Sequence, residues 1–238
     1  MSSQLKSFLF VAVLSIVCSS LLTLASTGLK EYQQRNIAID QQTNLLRSVQ
    51  LIDDSHSLTS ETIEKLYDEN IRHMWIDFEG KIISEKIKSE NDLPIFLYVK
   101  QNEVISYIIP IDSRGLWGRI LGYLSVENNG KTILGFTVYS HSETPGLGGE
   151  IEKSWFQNNF IGKEILDDAG HFTSVTIAKG TVKGRIPKNS QKHFVDGITG
   201  ATFTGKFLSG GLKRTLFEYE PLSKRFRNKE IKRLKGVN

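Results

Sequence analysis

The sequence predicts an α+β chain in which an N-terminal transmembrane helix precedes a single domain built on a mainly antiparallel sheet. Three observations carry this reading. No charged residue occurs between Lys6 and Lys30. From Asp92 onward, runs rich in β-branched and aromatic residues are separated by short, turn-prone connectors. Near residue 200 a Gly- and Thr-rich turn opens a run with helical apolar spacing. The 238 residues have room for one membrane segment and one domain of about 150–200 residues, enough to bury a core.

In chain order, the uncharged run comes first. A hydrocarbon core about 30 Å thick needs a helix of roughly 20 residues, and a span within residues 7–27 meets that length. A cleaved signal peptide is the competing reading, because Lys6 supplies a basic start and Leu24-Ala25-Ser26 supplies small residues. Bulky Val17 immediately before Cys18 argues against a lipid anchor there. Cys18 is the only cysteine, which excludes an intrachain disulfide, a Cys-based zinc site and an iron–sulfur cluster held by this chain alone. Any redox chemistry therefore needs an organic cofactor. Positive charges flanking the span are nearly balanced across it, so orientation is weakly encoded.

Apolar spacing from Gln34 to Leu66 predicts a helix leaving the span, a break near Asp53-Asp54-Ser55 and a short helix from Thr59 to Asn70. His56 and His73 have no ligand-spaced partners and read as ordinary histidines. Strands are predicted over Ile95–Val99, Val104–Ile109, Ile120–Val126 and Ile133–Tyr139, with a later one from Phe172 to Ala178. The net charge of +4 is uneven, since Lys213–Lys235 alone carries a local +6. Such a tail suits an anionic membrane surface, an acidic partner or plain solvent, and nucleic acid is excluded behind a membrane anchor. The expected division is 1–30 anchor, 31–90 helical linker and start of the domain, 91–220 domain, and 221–238 basic tail.

Three loops carry the chemistry. Gly115-Leu116-Trp117-Gly118 places an aromatic between two glycines. His141 to Gly149, with Glu143, Thr144, Gly146, Leu147 and Gly148, follows a strand and leads into an amphipathic helix start at Glu150–Phe156. His141 and Glu143 read either as an acid–base pair or as hydrogen-bonding scaffold. The glycines lack dinucleotide-loop spacing, and antiparallel strands argue against that fold. Asp196 to Thr204 places Thr199, Gly200, Ala201 and Thr202 at a helix start, where backbone amides and the helix dipole favour an anion. Thr199 and Thr204 are candidate caps. Gly200 to Lys206 nearly matches a P-loop, but Phe207 stands where a magnesium-binding hydroxyl is required. Phe203, Phe207, Leu208, Leu212 and Leu216 form the expected core stripe.

Asp196-x-x-Thr199-Gly200-Ala201-Thr202 resembles the D-x-x-[ST]-G-A-T signature on which a flavin transferase esterifies FMN through its phosphate. With the Gly-Leu-Trp-Gly segment, residues 141–150 and the anchor, nearly the whole chain resembles the C subunit family of the sodium-translocating NADH:quinone oxidoreductase. The G subunit of the Rnf complex shares the signature, but Gly-Leu-Trp-Gly is more typical of the former. The resemblance implies an FMN-binding domain with one FMN on Thr202, and flavin contacts from Leu116, Trp117, Glu143, Thr144, Gly146, Leu147, Gly148, Asp196, Thr199, Gly200 and Ala201. It also implies an electron carrier in the bacterial inner membrane, single-pass, with its domain periplasmic. Its partners would be the other membrane subunits and, during maturation, the transferase. The complex would take electrons from NADH to ubiquinone, with no complete catalytic site in this chain.

Overall fold

A computed structural model describes residues 3–53 and 58–233; His56 and the end of the basic tail lie outside them. Contacts divide the chain into two units, Met1–Asp40 and Gln41–Asn238. The first consists of the N-terminal part of α1, a 46-residue helix over Ser3–Ser48. By length and composition α1 can cross a membrane.

The second unit is built on a six-stranded sheet. After α2 (Ser60–Asn70), whose N-cap Thr59 accepts from Thr62 N, the strands are β1 (Ile71–Ile76), β2 (Ile82–Ile83), β3 (Leu93–Lys100), β4 (Glu103–Arg114), β5 (Arg119–Glu127) and β6 (Ile133–Ser140). They lie in the order β2-β1-β3-β4-β5-β6, and each neighbouring pair is antiparallel. After β6 come α3 (Ser154–Gln157), β7 (Thr176–Ile177), β8 (Phe194–Val195), α4 (Thr202–Glu218) and α5 (Glu220–Arg227).

Both faces of the sheet are covered, and side chains of alternate strand residues meet different layers. On one face Leu208, Leu212 and Leu216 of α4, with Leu222 and Phe226 of α5, share a core with Leu97, Tyr107, Ile109, Ile120 and Leu124. Each such buried side chain contributes about 1.5–3 kcal/mol relative to exposure. Tyr107 stacks on Phe226 with centroids 4.5 Å apart, and its hydroxyl meets Ser223 Oγ at 2.7 Å; burial pushes its phenol pKa up. On the other face, the last turns of α1 are gripped by polar contacts. Thr137 Oγ1 donates to Asn44 O at 3.1 Å, and Ser125 Oγ donates to Ser48 O. Gly135 permits the approach, because a methyl there would lie 2.3 Å from Ser48 O.

Three expectations need correction. The strand expected over Phe172–Ala178 shrinks to β7, which pairs in parallel with β8 outside the main sheet. Ser174 breaks the extension with a φ of 71°, and Thr173 N and Ser174 N both turn to Ile165 O. The helix expected from Glu150 is a 3-10 turn over Gly148–Glu152 and the separate short α3, parted by the extended backbone of Lys153. Phe203 leaves the core stripe and stands 60% exposed, because it lies opposite Leu208 and Leu212 around α4. β1 and β2 fall in the segment expected to hold the helical linker and the start of the domain, for which the sequence predicts no strand. In β1, Arg72 and His73 are consecutive exposed residues, and they hide the alternation that marks a strand.

Candidate functional site

The site is assembled around one buried carboxylate. Glu143, 5% exposed, lies just beyond β6. Its Oε1 accepts from Leu116 N at 2.8 Å and Trp117 N at 3.0 Å, and its Oε2 accepts from Thr204 Oγ1. The β4–β5 hairpin loop, the loop after β6 and the start of α4 therefore meet at one side chain. Charge-assisted hydrogen bonds of this kind are worth roughly 1.5–3 kcal/mol each. His141 supports the arrangement: its Nδ1 accepts from Glu143 N at 3.1 Å, which leaves Nε2 to donate to Glu152 at 3.2 Å. Hydrogen bonds from Lys153 and then His141 hold the Glu152 carboxyl below the usual range. Of the two readings of His141 and Glu143, the geometry is that of scaffold.

Glycines let the loops close. A methyl on Gly148 would lie 2.6 Å from both Glu143 Oε2 and Thr204 Oγ1, and one on Gly115 would lie 2.5 Å from Glu143 Oε1. Gly200, with a φ of +79°, comes close enough to Leu147 that its methyl would meet Leu147 Cδ2 at 2.7 Å. Gly146 turns the chain with a φ of +75°. Thr144 O accepts from Leu147 N at 3.1 Å and Gly149 N at 2.9 Å, so the Leu147 amide is occupied within the loop.

Thr202 is the exposed first residue of α4. Helix geometry leaves the amides of Thr202, Phe203 and Thr204 without intrahelical acceptors, and Gly205 N is the first to donate, to Ala201 O at 3.0 Å. A cavity of about 230 Å³ beside Thr202 is lined by Ala178, Lys179, Gly180, Lys206 and Ser209 among others. Amides, helix dipole and two lysines make it suited to a phosphate. Sites that enclose a whole cofactor have volumes of about 300–1,000 Å³, so a planar ring would rest on the surface. Apolar groups stand ready there: Trp117 is 69% exposed, and Leu116, Leu147 and Phe203 are also exposed.

Residues 115–216 match the FMN-binding domain family. The C subunit of the Na(+)-translocating NADH-quinone reductase from Yersinia pestis is 30% identical, the match covering 95% of this chain and 94% of that protein. The Vibrio anguillarum protein of the same name is 31% identical over 90% of this chain and 89% of its own length. The solved structure of the corresponding C subunit from Parabacteroides distasonis superposes with a TM-score of 0.68 at 30% identity, covering 82% of this chain and 96% of that one. The chain belongs to the C subunit family of the Na(+)-translocating NADH-quinone reductase.

Within the fold of this reductase family the expected site residues separate into two groups. Leu116, Trp117, Glu143, Thr144, Gly146, Leu147, Gly148, Gly200, Ala201 and Thr202 belong to the three joined segments. Asp196 does other work: its Oδ1 accepts from Val182 N at 2.6 Å, while Gly197 N donates to Gly180 O at 2.8 Å, fixing the loop that walls the cavity. Neither candidate cap caps α4. The N-cap is Ala201, with no side-chain cap bond, because the Gly200 turn starts the helix three residues beyond Thr199. Thr204 lies inside the helix and turns its hydroxyl to Glu143. Sequence reasoning missed that role for Thr204, although its spacing with Leu208, Leu212 and Thr215 puts it on the buried face. It also missed Lys179 and Lys206, which carry no local signal of a shared cavity.

Proposed function

We propose that this chain is the membrane-anchored, covalently flavinylated electron carrier of a sodium-pumping NADH:ubiquinone oxidoreductase, with FMN esterified through its phosphate to Thr202. The observation that carries this reading is the exposed Thr202 hydroxyl beside free helix amides, at the point where three loops meet on Glu143. Bound FMN supplies one-electron redox chemistry. The chain's residues bind and orient it. Lys179, Lys206 and the α4 amides balance phosphate charge, while Thr144, the Gly146 and Gly148 amides and the Leu116, Trp117 and Leu147 side chains border the ring. Residues 1–30 serve as a retained single-pass anchor in the inner membrane, 31–90 as linker and start of the domain, 91–220 as the periplasmic FMN-binding domain, and 221–238 as basic tail. NADH oxidation, sodium movement and quinone reduction belong to partner subunits.

The test is co-expression with a flavin transferase, followed by denaturing electrophoresis with in-gel flavin fluorescence and peptide mass spectrometry. The expected result is FMN on the Thr202 peptide and no fluorescence from Thr202→Val, which keeps the branched shape but lacks the hydroxyl. FMN on Thr199 or Thr204, or full loading of Thr202→Val, overturns the assignment.

A further inference from the structure

We propose that the exposed face of α4 is a docking surface for a helix of a neighbouring protein of the same complex that carries carboxylates beside apolar residues. At the centre of this face is Gly210, seven residues from both Phe203 and Phe217, which is about two helical turns each way. Phe203 is 60% and Phe217 66% exposed. Lys206, Lys213 and Arg214 are also exposed and flank the glycine at the three- and four-residue spacings that make surface neighbours.

Glycine weakens a helix interior relative to alanine and needs a reason to be there. The adjacent Gly211 has an internal one, since a methyl at that position would lie 2.0 Å from Ser113 Oγ. Gly210 has none: beyond its own neighbours and helix backbone, no atom lies within 4 Å of where its Cβ would stand. The room it leaves opens outward, between two aromatic side chains about 21 Å apart along the axis. A helix crossing there can bring its backbone close and set apolar side chains against Phe203 and Phe217. The cationic flanks select carboxylates on the occupant and disfavour a basic one. This goes beyond flavin attachment and rests on the chain being one subunit of several. Thr202 stands on another flank of the helix, about 80° around from Gly210.

The experiment uses the complex purified through a tag on another subunit, from membranes in which all subunits and the transferase are produced together. It reads how much of this chain is retained, and in-gel flavin fluorescence on the same lanes. Gly210→Leu and the Lys213→Glu/Arg214→Glu pair are expected to load flavin as wild type and to lose retention at least ten-fold. Purified Gly210→Leu should melt no lower than wild type. A benzophenone side chain placed at position 210 should crosslink to a peptide of another subunit that contains Asp or Glu within two turns of the linked residue. Wild-type retention of both variants overturns the proposal, as does a crosslink only to a second copy of this chain. An altered flavin absorbance in Gly210→Leu also overturns it, because the ring itself would then cover the face. Failure of covalent attachment is visible separately, as wild-type chain retained without fluorescence.

Discussion

At the scale of single residues, Glu143 answers three donors from two other segments, so its carboxylate is what ties those segments together. Glu143→Gln keeps the shape but turns one acceptor into a donor facing donors, so stability in urea unfolding should fall by about 2–3 kcal/mol. Flavin loading should fall as well, with Thr202 untouched. Two glycines of α4 and its partner loop give opposite outcomes. Gly148→Ala forces a methyl to within 2.6 Å of Glu143 and Thr204 and should destabilise. Gly210→Ala meets nothing and should raise stability by about 0.5–1 kcal/mol, read as a higher melting temperature. The glycines, the acidic residue and Thr202 were all legible as unusual residues in loops. The bond from Glu143 to Thr204 was not, because it joins residues 61 apart, and no local pattern encodes such a pairing.

At the scale of elements, β3, β5, β6 and α4 begin and end near where their apolar runs do, since β-branched runs and helical stripes are local signals, whereas β4 runs on through Pro110 to Arg114, five residues past its run. The strand β1 was illegible because its register against β3, with His73 opposite Phe96, depends on a partner more than twenty residues downstream. That pairing has a consequence for acid stability. His73 packs on Phe96 at 4.6 Å and against Trp75 at 4.2 Å, and this covering, with Lys88 adding to it against Glu85, lowers its imidazole pKa below the usual 6.5. The unfolded chain then binds the proton more readily than the folded one. The contribution is fully present above about pH 6.5 and is lost as pH falls through the lower folded value. Urea midpoints should therefore decline between pH 7.5 and 5.5, and His73→Phe should flatten part of that decline. An equal slope in the variant would exclude His73 as its source.

At the scale of the whole molecule, the N-terminal part of α1 and the domain are separate compact units, yet residues 41–48 of α1 belong to the second. A chain starting at Gln41 should keep the sheet and melt within a few degrees of the full chain. One starting at Val49 strips Leu45 and Leu46 from their packing, leaves Thr137 without the carbonyl it now meets and removes one of the two that Ser125 meets. It should lose several kcal/mol, visible as a collapsed urea transition. The long apolar N-terminal helix was the most legible part of the sequence, and this seam the least, because periodicity runs through it without a break. The meeting of three distant segments on Glu143 has one more implication. Thr202 is presented on its helix turn only once β6, the β4–β5 hairpin and α4 have come together, so an unfolded chain of identical sequence offers the motif without the site. With FMN attached at Thr202 as proposed, a modified chain would bear a chemical record of having folded, and the modifying enzyme would act in passing as an inspector of its substrate's shape.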